Sequence, residues 1–104
     1  MNDVYGFLMT NFTKDISLAE VAGVAAMNPH SFCRFFKSRT QKSLIAFVNE
    51  IRIGHACKLL NNADLSITQI AYDCGFNNVS NFNRFFKIVK KTSPREYRKE
   101  LELD

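Results

Sequence analysis

The chain has 104 residues, of which 46% are apolar, with ten Phe and no Trp; this is a globular composition that supports one domain, or two small subdomains sharing an element, around a modest core. A formal net charge of +4 and a pI near 9.1 favour an anionic partner. Three cysteines without CxxC spacing indicate neither a disulfide framework nor a zinc knuckle, and no apolar run approaches membrane-spanning length, so the composition fits a protein with reduced thiols in the cytoplasm, without a secretory leader.

Val4, Tyr5, Phe7, Leu8 and Phe12 recur at near-helical spacing and predict a short amphipathic first helix, with Asn2 or Asp3 as its N-cap. Ser17-Leu18-Ala19-Glu20 has the form of a capping box, so a second helix starts there and buries Leu18, Val21, Ala22 and Ala25. After Met27, Asn28-Pro29 restarts the chain as a third helix, Asn as N-cap and Pro at the first helical position. Phe32, Phe35 and Phe36 fall on one face of that helix. His30, Cys33, Arg34 and Lys37 fall at i, i+3, i+4 and i+7 on another, so one face packs and the other is free to read.

From Ser43 to about Asn61 runs a longer amphipathic pattern whose stripe is Leu44, Phe47, Val48, Ile51, His55, Leu59 and Leu60. Such a helix spans roughly 27 Å at 1.5 Å per residue. Asn61-Asn62 ends it, and His55 on its stripe is expected to be a packed histidine. Ser66-Ile67-Thr68-Gln69 is a second capping box, and Ile67, Ile70, Ala71 and Cys74 repeat the earlier stripe. Gly75 then supplies a turn at positive φ. Its counterpart is Ala26, for which the same conformation is costly, so a different first turn is expected.

The helix from about Val79 to Lys90 buries Phe82, Phe85 and Phe86 and shows Ser80, Asn83, Arg84 and Lys87 at the same four offsets. Phe82-Asn83-Arg84-Phe85-Phe86-Lys87 restates Phe32-Cys33-Arg34-Phe35-Phe36-Lys37, so the repeated unit is helix, turn, helix. Ser93-Pro94-Arg95-Glu96 begins a last short helix in which Tyr97 and Leu101 close the second core. Basic residues gather from Arg34 to Lys42 and from Arg84 to Lys99, each stretch beginning inside a copy of the repeat. A duplicated helix-turn-helix with basic second helices points to DNA.

The chain closely resembles the DNA-binding domain of the AraC/XylS family of bacterial transcription regulators. Ile70-Ala71, Cys74-Gly75-Phe76, the run Ser80 to Lys87 and Ser93-Pro94-Arg95-Glu96-Tyr97-Arg98 carry the match in the second copy. Asn28-Pro29 with Phe32 to Lys37 carries it in the first, and Arg52-Ile53 with Ala56-Cys57-Lys58-Leu59-Leu60 in the connector. The resemblance implies an all-α domain of seven helices, with a first helix-turn-helix subdomain at 1–43, a connector helix at 44–62 and a second subdomain at 63–104. Both recognition helices would meet one side of double-stranded DNA, in successive major grooves about 34 Å apart.

The resemblance also implies roles. His30, Cys33 and Arg34 would face bases from the first recognition helix, and Val79, Ser80, Asn83 and Arg84 from the second. Their chemistry agrees: Arg donates twice to guanine, Asn pairs with adenine and Val meets a thymine methyl. Lys37, Lys42, Arg52, Lys87, Lys90 and Lys91 are phosphate candidates, although Lys90-Lys91 fits a solvated pair equally well. No cofactor and no metal is expected, and no membrane partner. RNA polymerase contact would accompany DNA binding, and an isolated domain of this kind is expected to be monomeric, with dimers formed through an N-terminal region in longer members. The expected place of action is the cytoplasm, at the nucleoid. The rival reading is a thiol-dependent enzyme built on Cys33, one turn from His30 and beside Arg34. It lacks a second acid–base group and a Gly-rich loop, so no catalysis is expected.

Overall fold

The computed structural model describes residues 1–103. They form seven helices, α1 (Asn2–Asn11), α2 (Leu18–Val24), α3 (Pro29–Thr40), α4 (Leu44–Leu59), α5 (Ile67–Asp73), α6 (Val79–Lys90) and α7 (Pro94–Leu103), with no strand among the described residues. The all-α, seven-helix expectation holds.

The helices start where a side chain can satisfy the first free backbone N–H groups. Ser17 Oγ accepts from the Glu20 N–H at 3.1 Å while Glu20 Oε1 accepts from the Ser17 N–H at 3.2 Å, a complete capping box. The second box is only half made. Ser66 Oγ accepts from the Gln69 N–H at 3.0 Å, but the Gln69 amide donates along the helix to Asp73 at 2.8 Å, because an ionised acceptor lies one turn away. Asn28 and Asn78 cap α3 and α6 alike, accepting from Ser31 and Asn81 at 2.8 Å each. The second copy has one residue more between turn and helix, Asn77-Asn78 against Asn28, and it lengthens the turn without changing the cap. At α1 the expectation fails: its N-cap is Met1, which makes no side-chain bond, and Asn2 and Asp3 lie inside the helix. Asp3 still serves there, since a carboxylate favours the positive end of the helix dipole.

The two turns are alike as well, against expectation. The Met27 N–H donates to the Ala22 carbonyl at 3.0 Å and the Phe76 N–H to Ala71 at 3.1 Å, closing the same six-residue loop. Ala26 adopts φ 56° and Gly75 φ 100°. Ala26 takes the left-handed conformation despite its Cβ, at a cost of about 1–2 kcal/mol. The Met27–Ala22 bond and the Asn28 cap hold the chain just after it.

The chain divides into two compact units, Met1–Ile51 and Arg52–Asp104. The first unit packs Val4 and Leu8 of α1, Val21 and Ala22 of α2, Phe32 and Phe36 of α3 and Val48 of α4. The second packs Ile53, Ala56 and Leu60 against Ile70, Ala71, Cys74, Phe76, Phe82 and Phe86. Each fully buried Phe contributes about 1.5–3 kcal/mol of apolar transfer. Phe36 meets Phe47 edge-on at 5.2 Å, and Phe86 meets Tyr97 in the same way at 5.5 Å. Phe47 and Tyr97 are thus equivalent, and the repeat extends past α3 and α6 into α4 and α7.

This correspondence changes the reading of α4. Its apolar stripe is not single: Leu44, Phe47, Val48 and Ile51 serve the first core, while Ile53, Ala56 and Cys57 serve the second. The phase breaks between Ile51 and Ile53. The beginning of α4 matches α7, and its end matches α1, with Ile53 standing where Val4 stands. The helix is followed by Asn61-Asn62, where Arg98 donates to the Leu60 carbonyl at 3.3 Å and to the Asn62 carbonyl at 3.2 Å.

Candidate nucleic-acid interface

The placement of Phe32 and Phe36 in one core, and of Phe82 and Phe86 in the other, decides which sides of α3 and α6 remain open. On α3, His30, Cys33, Arg34 and Lys37 are all exposed. On α6, Ser80, Asn83, Arg84 and Lys87 are exposed, while Val79 is half-buried against the second core. Each set of four shares one face of its helix. Cys33, Arg34 and Lys37 border a shallow concavity with Ser38 and Gln41.

The phosphate candidates are more varied. Lys37, Lys87, Lys90 and Lys91 are exposed, and Lys91 is the left-handed C-cap of α6 with φ 64°. Lys42 is exposed but forms an ion pair with Glu50. Arg52 is half-buried, its guanidinium 5.7 Å from the centre of the Phe76 ring. A phosphate would compete with a carboxylate for the first and with a ring face for the second.

Two residues outside the sequence-derived set lie beside it. Thr68 at the start of α5 and Arg95 at the start of α7 line a cleft together with Val79, Asn83 and Lys87. Arg95 is exposed. It was visible in the sequence as part of the helix-start signal, but only the packing of α7 brings it beside Lys87. In the first unit the equivalent positions are Ala19 and Ile45, and Ile45 is 69% exposed.

Of the thiols, Cys33 is exposed and Cys57 and Cys74 are buried, all three free. Burial pushes the Cys74 thiol up to about 12, further from the reactive thiolate. Among the described residues no group of three or more His, Cys, Asp or Glu is placed to hold a metal ion. Among the same residues no helix is long and apolar enough to cross a membrane.

A family model described as a helix-turn-helix domain matches residues 21–100. The transcriptional activator RhaS of Mannheimia succiniciproducens is 36% identical over 92 residues, which are 88% of this chain and 34% of that protein. RhaS of Enterobacter sp. is 32% identical over 98 residues, covering 94% and 35%. The chain thus spans about a third of the length of the curated relatives it matches. Among solved structures, the DNA-binding domain of AdpA, in complex with a target DNA, superposes with a TM-score of 0.90 at 24% identity, over 98% of this chain and 92% of that one. The C-terminal domain of AraT, a response regulator from Geobacillus stearothermophilus, gives 0.86 at 27% identity over 95% and 83%. With its paired helix-turn-helix units, its SPREYR segment and the match across 21–100, the chain belongs to the AraC/XylS-type helix-turn-helix family.

Proposed function

We propose that this chain binds double-stranded DNA sequence-specifically, as a monomer, by setting α3 and α6 into successive major grooves, and that it regulates transcription by doing so. One observation carries the reading: the same exposed polar and basic face appears on α3 and on α6, the second helix of each helix-turn-helix, above the same buried phenylalanine pair. His30, Cys33 and Arg34 are the proposed base contacts of α3. Val79, Ser80, Asn83 and Arg84 are those of α6. Cys33 is a poor hydrogen-bonding partner, so reading by α3 falls to His30 and Arg34. Lys37, Lys87, Lys90 and Lys91 would meet phosphates directly, and Lys42 and Arg52 by exchanging their present partners.

Because the two faces differ in sequence, the recognised site should be asymmetric. Selection from a pool of random duplexes tests this: two unlike boxes about one helical turn apart are expected. Enrichment of no sequence, or association that ignores salt, would overturn the reading, since neutralised phosphates release counterions and make affinity fall steeply as salt rises.

A further inference from the structure

The two arginines at matching places on the recognition helices are held differently. The Arg84 guanidinium lies 4.9 Å from the centre of the Phe85 ring, and its Nη2 donates to Asn81 Oδ1 at a long 3.4 Å. Phe85 in turn stacks on Phe76 at 6.2 Å with 27° between the planes. Arg52 lies over Phe76, so contacts run without a break from Arg84 through two rings to a second guanidinium. In the first unit the equivalent ring, Phe35, is covered by Arg39 at 5.5 Å. Arg39 stands where α6 has Val89, a half-buried residue that packs against the second core and cannot compete for a ring face. Ser31 stands where α6 has Asn81, and Met27 where the second unit has Phe76. Arg34 makes no ring contact or hydrogen bond among the described residues.

Resting on the DNA reading above, we propose that Asn81 and Phe85 are positioning residues that hold Arg84 ready for a guanine edge, whereas Arg39 takes the matching ring in the first unit and leaves Arg34 unheld. The second helix therefore discriminates at its arginine base pair more sharply than the first. The chemistry supports a held reader, not a masked one. Stacking uses the flat face of the guanidinium, and the bond to Asn81 uses one of five N–H donors, so an in-plane edge stays free for the two acceptors of guanine. An exposed arginine without such support must fix several torsions when it binds, and wrong partners are then penalised less.

The test uses the whole chain and the duplexes it enriches from a random pool, with preference measured as a ratio of affinities for single base-pair changes. Arg84→Ala first identifies the base pair that Arg84 reads. Asn81→Leu and Phe85→Leu should each reduce preference at that same pair by roughly threefold or more, with the other box and the affinity for random duplex unchanged. Asn81→Asp keeps the acceptor and should keep the preference, while lowering affinity evenly for all sequences. Arg39→Val frees Phe35 and should sharpen the arginine position of the other box. If Phe85→Leu fails to fold, as its thermal midpoint would show, Asn81→Leu carries the test from a half-buried position outside the second core.

Unchanged preference at the Arg84 pair in the Asn81 variant overturns the proposal. So does a change at a different pair, which would make Asn81 a direct contact, or an equal loss in both boxes, which would make it merely structural. An unaltered first box in Arg39→Val overturns the account of Arg34. A wild-type chain that enriches nothing overturns the DNA reading itself, and this inference with it.

Discussion

The two units reach one backbone geometry with different residues, and present one helical face with different chemistry. Ala26 and Gly75 both turn the chain through positive φ, Asn28 and Asn78 cap α3 and α6 alike, and Phe36 and Phe86 both meet an aromatic ring edge-on. Above that shared frame Cys33 stands where the other copy has Asn83, His30 where it has Ser80, and Arg39 covers the ring that corresponds to the one under Arg84. The positions that pack are alike in the two copies, and those that solvent sees differ. The frame is where equal changes should have equal effects; the exposed face is where they should not.

The largest expected effects test the frame. Phe36→Ala and Phe86→Ala remove fully buried rings and should each destabilise their unit by about 3–5 kcal/mol. Urea unfolding would show it, and a much smaller loss in either unit would mean that its core can close over the gap. Next come the exposed arginines: Arg34→Ala and Arg84→Ala should cost about 1–3 kcal/mol on the selected site, each relaxing preference in one box only. Equal losses on random duplex would reduce both to phosphate contacts. The turns give a smaller and opposite pair. Ala26→Gly should stabilise by up to ~1 kcal/mol, relief of the left-handed strain being partly offset by the freer unfolded chain, and Gly75→Ala should destabilise by about 1–2 kcal/mol. Matched signs in the two variants would break the claim that both turns share one conformation.

The subtlest effect is confined to alkaline pH. Burial raises the Cys74 thiol from 9.0 to about 12, so above pH 9 the unfolded chain releases this proton while the folded chain keeps it. The stability is complete below pH 9 and is lost as pH climbs toward 12. A hydrogen bond with Cys57, together with burial, moves the Tyr97 hydroxyl the same way. Cys74→Ala should therefore flatten the fall of the thermal midpoint with pH without abolishing it. An unchanged slope would show that burial does not hold the proton on this thiol above its ordinary range.

The helix order, the caps of α2, α3, α5 and α7 and the paired phenylalanines were legible because each depends on neighbours within a turn or two. What escaped depended on competition or on packing. Gln69 could turn back to Ser66 or forward to Asp73, and both choices are local. Ala26 disfavours the conformation it adopts, so no propensity could announce it. In α4 apolar residues occur around most of the helix, and the stripe through Leu44, Phe47, Val48 and Ile51 could be continued to Leu59 as plausibly as broken at Ile53. Of the proposed interface, the exposed faces of α3 and α6 were readable from their spacing. The grip on Arg84 was not, since it depends on which of two arginines reaches which ring.

The doubled duty of α4 bears on how the chain folds. A helix of eight or so residues is marginal in water, because the first turn fixes several torsions for one hydrogen bond and little length remains to recover that cost. Split between the units, α4 would give each about half of its 16 residues, too short to persist before packing. Continuous, it needs one nucleation event for both cores, and whichever core forms first leaves the other with its opening or closing helix already in place.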